Sequence, residues 1–205
     1  VDTKDKKVAL TLNCAWNDSD IDSILQTLKD NDCKVTFFMV GDWVKKYPEA
    51  AKKIKDAGHE IGTHSNTHPH VNNLDYEKNA SELRESAKII KETTGVDIKL
   101  YRTPYGEYND TVIKVANENG YIPIQWSLDT LDYTKLTGEQ MWDRLKNKLT
   151  SGDIILMHNG TEHTADSLDM IIKNIKKTGF DVVRVSDIIY TENYTIDVNG
   201  VQKKN

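Results

Sequence analysis

The sequence predicts an α/β fold built from repeated strand–helix units, and two observations lead to this prediction. Short apolar runs alternate with segments of helical periodicity along the whole chain. Single helices separate successive strands, so the strands are expected to run parallel with right-handed connections. Such units form either an open doubly wound sheet or a closed barrel, with the functional site at the carboxyl ends of the strands.

The predicted strands are short apolar runs bounded by polar residues. They lie at residues 8–12, 35–40, 60–62, 98–101, 121–128, 153–157 and 181–185. The last residue of each strand therefore marks a position at which functional side chains are expected.

The predicted helices follow from apolar spacing and from start and stop signals. Ile21, Ile24, Leu25 and Leu28 follow the i, i+3, i+4, i+7 rule of an amphipathic helix. Pro48 opens a second helix, which ends at Gly58. The remaining helices are expected at residues 76–94, with Gly95 as the stop, and at 111–118, 139–150 and 165–177.

Length and composition predict one globular domain over residues 1–205. The chain is 29% charged and 38% hydrophobic and has no apolar run long enough to span a bilayer. Its net charge of -5, with both signs interspersed, argues against a nucleic-acid partner, which would require a concentrated basic face. Val1 is not followed by an apolar leader, so we expect any export signal to have been removed.

The two cysteines are predicted to be free thiols. Cys14 follows the first predicted strand, whereas Cys33 precedes the second. Parallel neighbouring strands would hold them about 17 Å apart, and a disulfide requires Cα atoms within about 7 Å.

Polar residues follow five of the predicted strands. These clusters are Asn13 with Cys14, His64 with His68, residues 102–106, Asp129 with Asp132, and His158. Because the carboxyl ends of parallel strands share one edge of the sheet, the clusters are expected to meet in a single site.

The two histidines four residues apart predict a metal site. His64 and His68 can converge on one divalent ion if their loop turns helically, and a third ligand is then required. Cys14 would complete a zinc set as a thiolate, although a buried small hydrophobe is an equal alternative. Asp20 is the competing oxygen ligand, ahead of Asp18.

The remaining clusters carry acid–base and oxyanion chemistry. Arg102 can hold a carboxylate, and the turn after it can present a backbone N–H to an oxyanion, with an ordinary surface turn as the alternative. His158 is expected to project as a proton donor, unless it is a structural histidine. Asp129 or Asp132 would orient His158 or pair with Arg102, unless both are solvated.

Four of these segments resemble the motifs of the polysaccharide deacetylase (NodB homology) family, carbohydrate esterase family 4. Residues 64–68 resemble its H-S/T-x-x-H motif, and residues 102–105 resemble R-x-P-Y. Residues 129–133 are similar to D-x-x-D-W with tyrosine in the last place, and residues 156–158 are similar to L-x-H. The resemblance extends over residues 7–189.

The resemblance implies a distorted (β/α)7 barrel that removes N- or O-acetyl groups from a cell-wall or other polysaccharide, such as peptidoglycan. A divalent metal, with zinc expected, would activate water, and His158 would be the general acid. The Tyr105 backbone N–H would stabilise the oxyanion, and Trp16, Tyr105 and Tyr133 would stack on sugar rings. An extracellular or envelope location would follow.

The first family motif is where this chain departs from the pattern. The family has T-F-D-D, in which one aspartate is the catalytic base and the other a metal ligand, but residues 11–14 read Thr-Leu-Asn-Cys. An asparagine at position 13 cannot accept a proton from water. Three hypotheses follow in order: an active deacetylase that uses Asp20, a metal-bound glycan-binding pseudoenzyme, and a structural barrel without metal.

Overall fold

The computed structural model describes all residues from Val1 to Asn205 and confirms the α/β prediction. Its main sheet is parallel, in the order β5-β4-β3-β2-β1-β7-β6, with β8 added beside the first part of β1. The strands are β1 (Lys7–Cys14), β2 (Thr36–Met39), β3 (Glu60–Thr63), β4 (Leu100–Tyr101), β5 (Ile122–Pro123), β6 (Leu128–Asp129), β7 (Ile154–His158) and β8 (Asp181–Val183). A separate antiparallel hairpin of β9 (Tyr194–Ile196) and β10 (Gln202–Lys204) was not predicted.

Helices surround the sheet and connect its strands. They are α1 (Ile21–Asp30), α2 (Gly41–Lys46), α3 (Pro48–Asp56), α4 (Tyr76–Thr94), α5 (Asp110–Glu118), α6 (Gly138–Leu145) and α7 (Thr164–Lys177). The prediction missed α2, whose six residues are too few to show a periodic pattern. None of these helices combines the length and the apolar character that a membrane-spanning segment requires.

Strand β1 lies at the centre of the fold and divides its side chains between two faces. The even-numbered residues from Val8 to Cys14 belong to the large core cluster that packs against the helices. Thr11 and Asn13, on the other face, are buried and make polar contacts inside the barrel. This alternation decides which residues of the first motif reach the site.

The prediction of one strand over residues 121–128 is wrong, because two short strands, β5 and β6, occupy its ends. Pro123 has no N–H to continue a ladder. The carbonyls of Ile124 and Gln125 accept hydrogen bonds from Arg102 instead of from a neighbouring strand. Strands β5 and β6 do not pair with each other, so the barrel stays open between them.

Candidate active site at the barrel mouth

The strand ends bring the predicted polar clusters to one edge of the sheet. Asn13 is in register with Phe38 of β2 and with His158 of β7. His64 directly follows β3, and Arg102 directly follows β4. These junctions form the barrel mouth, which we define by Asn13, His64, Arg102 and His158.

Asp132 and His158 form a hydrogen-bonded pair at the mouth. The fully buried Asp132 carboxylate accepts hydrogen bonds from the His158 backbone N–H at 2.6 Å, from its Nδ1 at 2.8 Å and from the Thr164 hydroxyl at 2.7 Å. Nδ1 therefore carries a hydrogen, which leaves Nε2 of the imidazole available for proton transfer. Thr164 was not identified from the sequence, since a hydroxyl on a helix start is unremarkable.

Two exposed aromatic side chains flank His158. The rings of Trp16 and Tyr133 have their centroids 5.3 and 5.4 Å from that of His158, and both residues are 48% exposed. Large aromatic surfaces held beside a polar centre are suited to sugar faces.

The histidine pair lies across the mouth. The rings of His64 and His68 meet edge to face with centroids 4.8 Å apart. Burial, followed by repulsion from His68, holds the pKa of His64 well below its usual value, and burial also lowers the pKa of His68. Both imidazoles are therefore neutral near pH 7, the form that binds metals.

A carboxylate from α4 fixes the histidine loop. Glu82 accepts hydrogen bonds from the backbone N–H groups of Asn66 and Thr67, both at 2.8 Å, and from the Thr67 hydroxyl. Sequence analysis did not identify this role, because Glu82 is one of several acids on the polar side of a long helix. Its contacts hold the backbone between His64 and His68.

Arg102 is a fully buried cation without a carboxylate partner. Its guanidinium donates to Thr11 Oγ1 at 2.7 Å and to Asn13 Oδ1 at 3.1 Å, and it lies 4.1 Å from the centre of the Phe38 ring. Burial lowers its pKa to about 9. The predicted ion pair with Asp129 or Asp132 does not form: Asp132 binds His158, and the Asp129 carboxylate accepts from Leu131 N.

The two candidates for a third metal ligand do not join the histidines. Cys14 points into the large core cluster, where burial raises the pKa of its thiol well above the usual value. Asp20 caps the loop after β7 by accepting from Gly160 N at 2.7 Å and from Asn159 Nδ2 at 3.2 Å. No three His, Cys, Asp or Glu side chains are arranged to hold a metal ion.

The donor set therefore does not fit a catalytic zinc site. Such a site takes three protein ligands and keeps one position for water. Here His64 and His68 have no third ligand beside them, and Nε2 of His64 already lies 3.2 Å from Asn13 Nδ2. This geometry does not support either Cys14 or Asp20 as a third ligand.

Both thiols are free, as predicted, and the structure also buries both, which gives a direct test. We expect Cys14 and Cys33 to react slowly with a disulfide reagent in the native protein, since burial raises both pKa values and blocks access. Both should react fully in denaturant, which is the control. Rapid reaction of Cys14 in the native state, identified by peptide mapping, would contradict its placement in the core.

Tyr105 extends the mouth on the side of the histidine loop. It has a left-handed backbone (φ 58°) and is 57% exposed. Its ring packs edge to face with that of His68, with centroids 4.7 Å apart, and stacks on that of His70, with centroids 4.2 Å apart and an interplanar angle of 12°. His70 in turn contacts Glu107 through Nδ1 at 2.7 Å. The sequence did not identify His70 or Glu107, because neither lies in a motif.

The barrel mouth thus carries a histidine pair and an Asp–His pair, with Asn13 and Cys14 in place of two acids. The polysaccharide deacetylase profile matches residues 1–124, and the chain belongs to that family. The motif resemblance is thereby confirmed.

The chain is similar in sequence to several bacterial proteins. It is 34% identical over 182 residues to the uncharacterized protein YlxY of Bacillus subtilis. The aligned region covers 89% of this chain and 57% of YlxY. The chain is 29% identical over 189 residues to a peptidoglycan-N-acetylglucosamine deacetylase of Bacillus cereus, with 90% of this chain and 69% of that protein covered. This chain thus spans little more than half of YlxY.

Solved structures share this fold. BA3943 of Bacillus anthracis, described as a CE4 family pseudoenzyme, matches with a TM-score of 0.87 and 34% identity over 90% of this chain and 66% of that chain. A BA3943 mutant with restored enzymatic activity matches with the same TM-score and identity over 68% of its chain. The shared fold confirms the distorted barrel that the motifs implied.

Proposed function

We propose that this domain binds the acetylated glycan of peptidoglycan at the barrel mouth and that its hydrolytic step is impaired. The observation that carries the proposal is the position of Asn13. Its amide lies between Arg102 and His64, at 3.1 and 3.2 Å, where a catalytic base is expected. An amide cannot take a proton from water. Loss of a general base commonly slows a reaction by about 10²–10⁴-fold.

The rest of the mouth retains what glycan binding requires. Trp16 and Tyr133 present exposed rings on both sides of His158, and Asp132 holds that imidazole with Nε2 free. In this arrangement His158 can hydrogen-bond a sugar hydroxyl or an acetamido group. The geometry favours the second sequence hypothesis, a glycan-binding pseudoenzyme, over the first, but without its bound metal, because His64 and His68 form an incomplete metal site.

The second candidate is an active deacetylase, and the intact Asp132–His158 pair favours it. With Nδ1 bonded to the buried carboxylate, His158 could protonate a leaving amine or alkoxide from Nε2. This candidate requires a base other than Asn13. Asp20 is not that base in this arrangement, because both of its oxygens accept hydrogen bonds from the loop after β7.

Binding and acetate release, measured side by side, separate the two candidates. We expect the protein to bind acetylated chitooligosaccharides and peptidoglycan, and Trp16→Ala and Tyr133→Ala each to weaken binding about tenfold, since a stacked aromatic contributes about 1 kcal/mol or more. Tyr108→Ala is the matched control, since Tyr108 is 61% exposed and does not contact His158. Equal binding by all four proteins would contradict glycan binding at the mouth.

Acetate release tests the impaired step. We expect none above background when the protein is assayed with added zinc or cobalt, and His158→Ala should behave identically. Release that His158→Ala abolishes would establish the active deacetylase instead. A peptidoglycan ligand also implies placement in the cell envelope or outside the cell, which fractionation would check.

The stacked pair of His70 and Tyr105 is expected to contribute to the same binding surface. Removing the ring in His70→Ala frees Tyr105 from its stack and should weaken glycan binding several-fold while leaving the free energy of unfolding within about 1 kcal/mol. His163→Ala is a suitable control, because His163 also contacts a glutamate but lies on the loop before α7. An unchanged affinity in His70→Ala would exclude this role.

A further inference from the structure

Three hydrogen bonds close a ring between Arg102, Asn13 and His64. The Arg102 guanidinium lies 3.1 Å from Asn13 Oδ1, and Asn13 Nδ2 lies 3.2 Å from His64 Nε2. His64 Nδ1 then lies 2.8 Å from the backbone carbonyl of Arg102. All three residues are at most 3% exposed, so water does not compete for these groups.

The donor and acceptor at each step of the ring are fixed. A guanidinium only donates, so Asn13 must turn Oδ1 towards Arg102 and Nδ2 towards His64. A carbonyl only accepts, so His64 must carry its hydrogen on Nδ1. Nε2 of His64 therefore has a lone pair and receives the amide hydrogen of Asn13. The direction of the Asn13–His64 bond thus follows from the other two bonds.

We propose that Asn13 is an internal ligand of His64 that keeps divalent metal ions out of the barrel mouth. The lone pair on His64 Nε2 is the only one with which this imidazole could bind a metal, because Nδ1 is committed to Arg102. The Asn13 amide occupies it. The inference deepens the proposed function by giving the mouth a metal-free organisation, and it does not depend on glycan binding.

Displacing the amide leaves polar groups without partners. Asn13 is 3% exposed, and its Nδ2 has no second acceptor to turn to. A buried donor left unsatisfied opposes metal binding by a factor of about ten to a hundred. An aspartate at the same position would accept from Arg102 and donate nothing to His64, which would leave the lone pair free.

Zinc affinity tests the inference without any activity measurement. A chromophoric chelator would compete for zinc with the wild type, Asn13→Ala and Asn13→Asp. We expect both variants to bind zinc at least about tenfold more tightly than the wild type. Thr11→Val is the matched control: it removes another acceptor of Arg102 beside Asn13 but leaves His64 untouched, and its zinc affinity should equal that of the wild type.

Nitrogen NMR of the wild type provides a second readout that needs no variant. His64 should show hydrogen on Nδ1, and its Nε2 resonance should not move when zinc is added. A zinc-induced shift at Nε2 in the wild type, or equal zinc affinity in the wild type and Asn13→Ala, would overturn the inference. Metal-free binding of peptidoglycan by the wild type tests the proposed function separately.

Discussion

Replacing Arg102 by alanine is expected to lower the free energy of unfolding by about 4 kcal/mol, a large fraction of the stability of a typical domain. Arg102 is the largest fully buried side chain of the protein. It joins the end of β4 to Thr11 of β1 and to the carbonyls of Ile124 and Gln125 in the open segment. Its loss would leave a cavity and several buried acceptors without donors.

Urea denaturation of the wild type and of Arg102→Ala, with a second arginine variant as control, measures this effect. Arg184→Ala is the control, because Arg184 pairs with Asp187 at the surface and such exposed pairs contribute about 1 kcal/mol or less. If Arg102→Ala loses no more stability than Arg184→Ala, the hydrogen bonds of Arg102 do not stabilise the open segment between β5 and β6. Circular dichroism would confirm that both variants fold.

The fold was predictable wherever a local pattern spans a whole element. Helix α4 was predicted at residues 76–94, and the structure gives the same bounds, because Asp75 caps its start and Gly95 adopts a left-handed conformation at its end. The break between β5 and β6 was not predictable. It depends on hydrogen bonds from Arg102, more than 20 residues earlier, to the Ile124 and Gln125 carbonyls.

The sequence predicted which strand ends form the site, but not which of their side chains bind each other. The order of motifs brought His64, Arg102 and His158 to one edge, as the parallel sheet requires. Which acid pairs with which base depends on side-chain direction: Asp132 turned to His158, and no acid turned to Arg102. The alternation along β1 placed Cys14 in the core, which the sequence analysis had weighed equally with ligation.

Acidification from pH 7 to pH 4 is expected to lower the free energy of unfolding by about 3 kcal/mol through His59 alone. His59 is 8% exposed, and burial, followed by repulsion from Lys34, lowers its pKa from 6.5 to about 4. Between these two values the unfolded chain binds the proton and the folded chain does not, so the stability present above pH 6.5 is lost as the pH falls towards 4. At about 1.4 kcal/mol for each pH unit, the difference is roughly 3 kcal/mol.

The variant His59→Asn isolates this contribution from the carboxylates that titrate in the same range. His59 Nδ1 accepts a hydrogen bond from Val35 N at 3.3 Å, and an asparagine oxygen can occupy the same position without titrating. Urea unfolding at pH 7 and at pH 4.5 should show a smaller acid-induced loss in His59→Asn than in the wild type. His163→Asn, at a half-buried histidine on the loop before α7, should retain the full loss. If His59→Asn loses as much stability as the wild type, His59 takes up its proton in the folded protein near the usual pKa, and acid sensitivity must come from the barrel mouth or from the carboxylates.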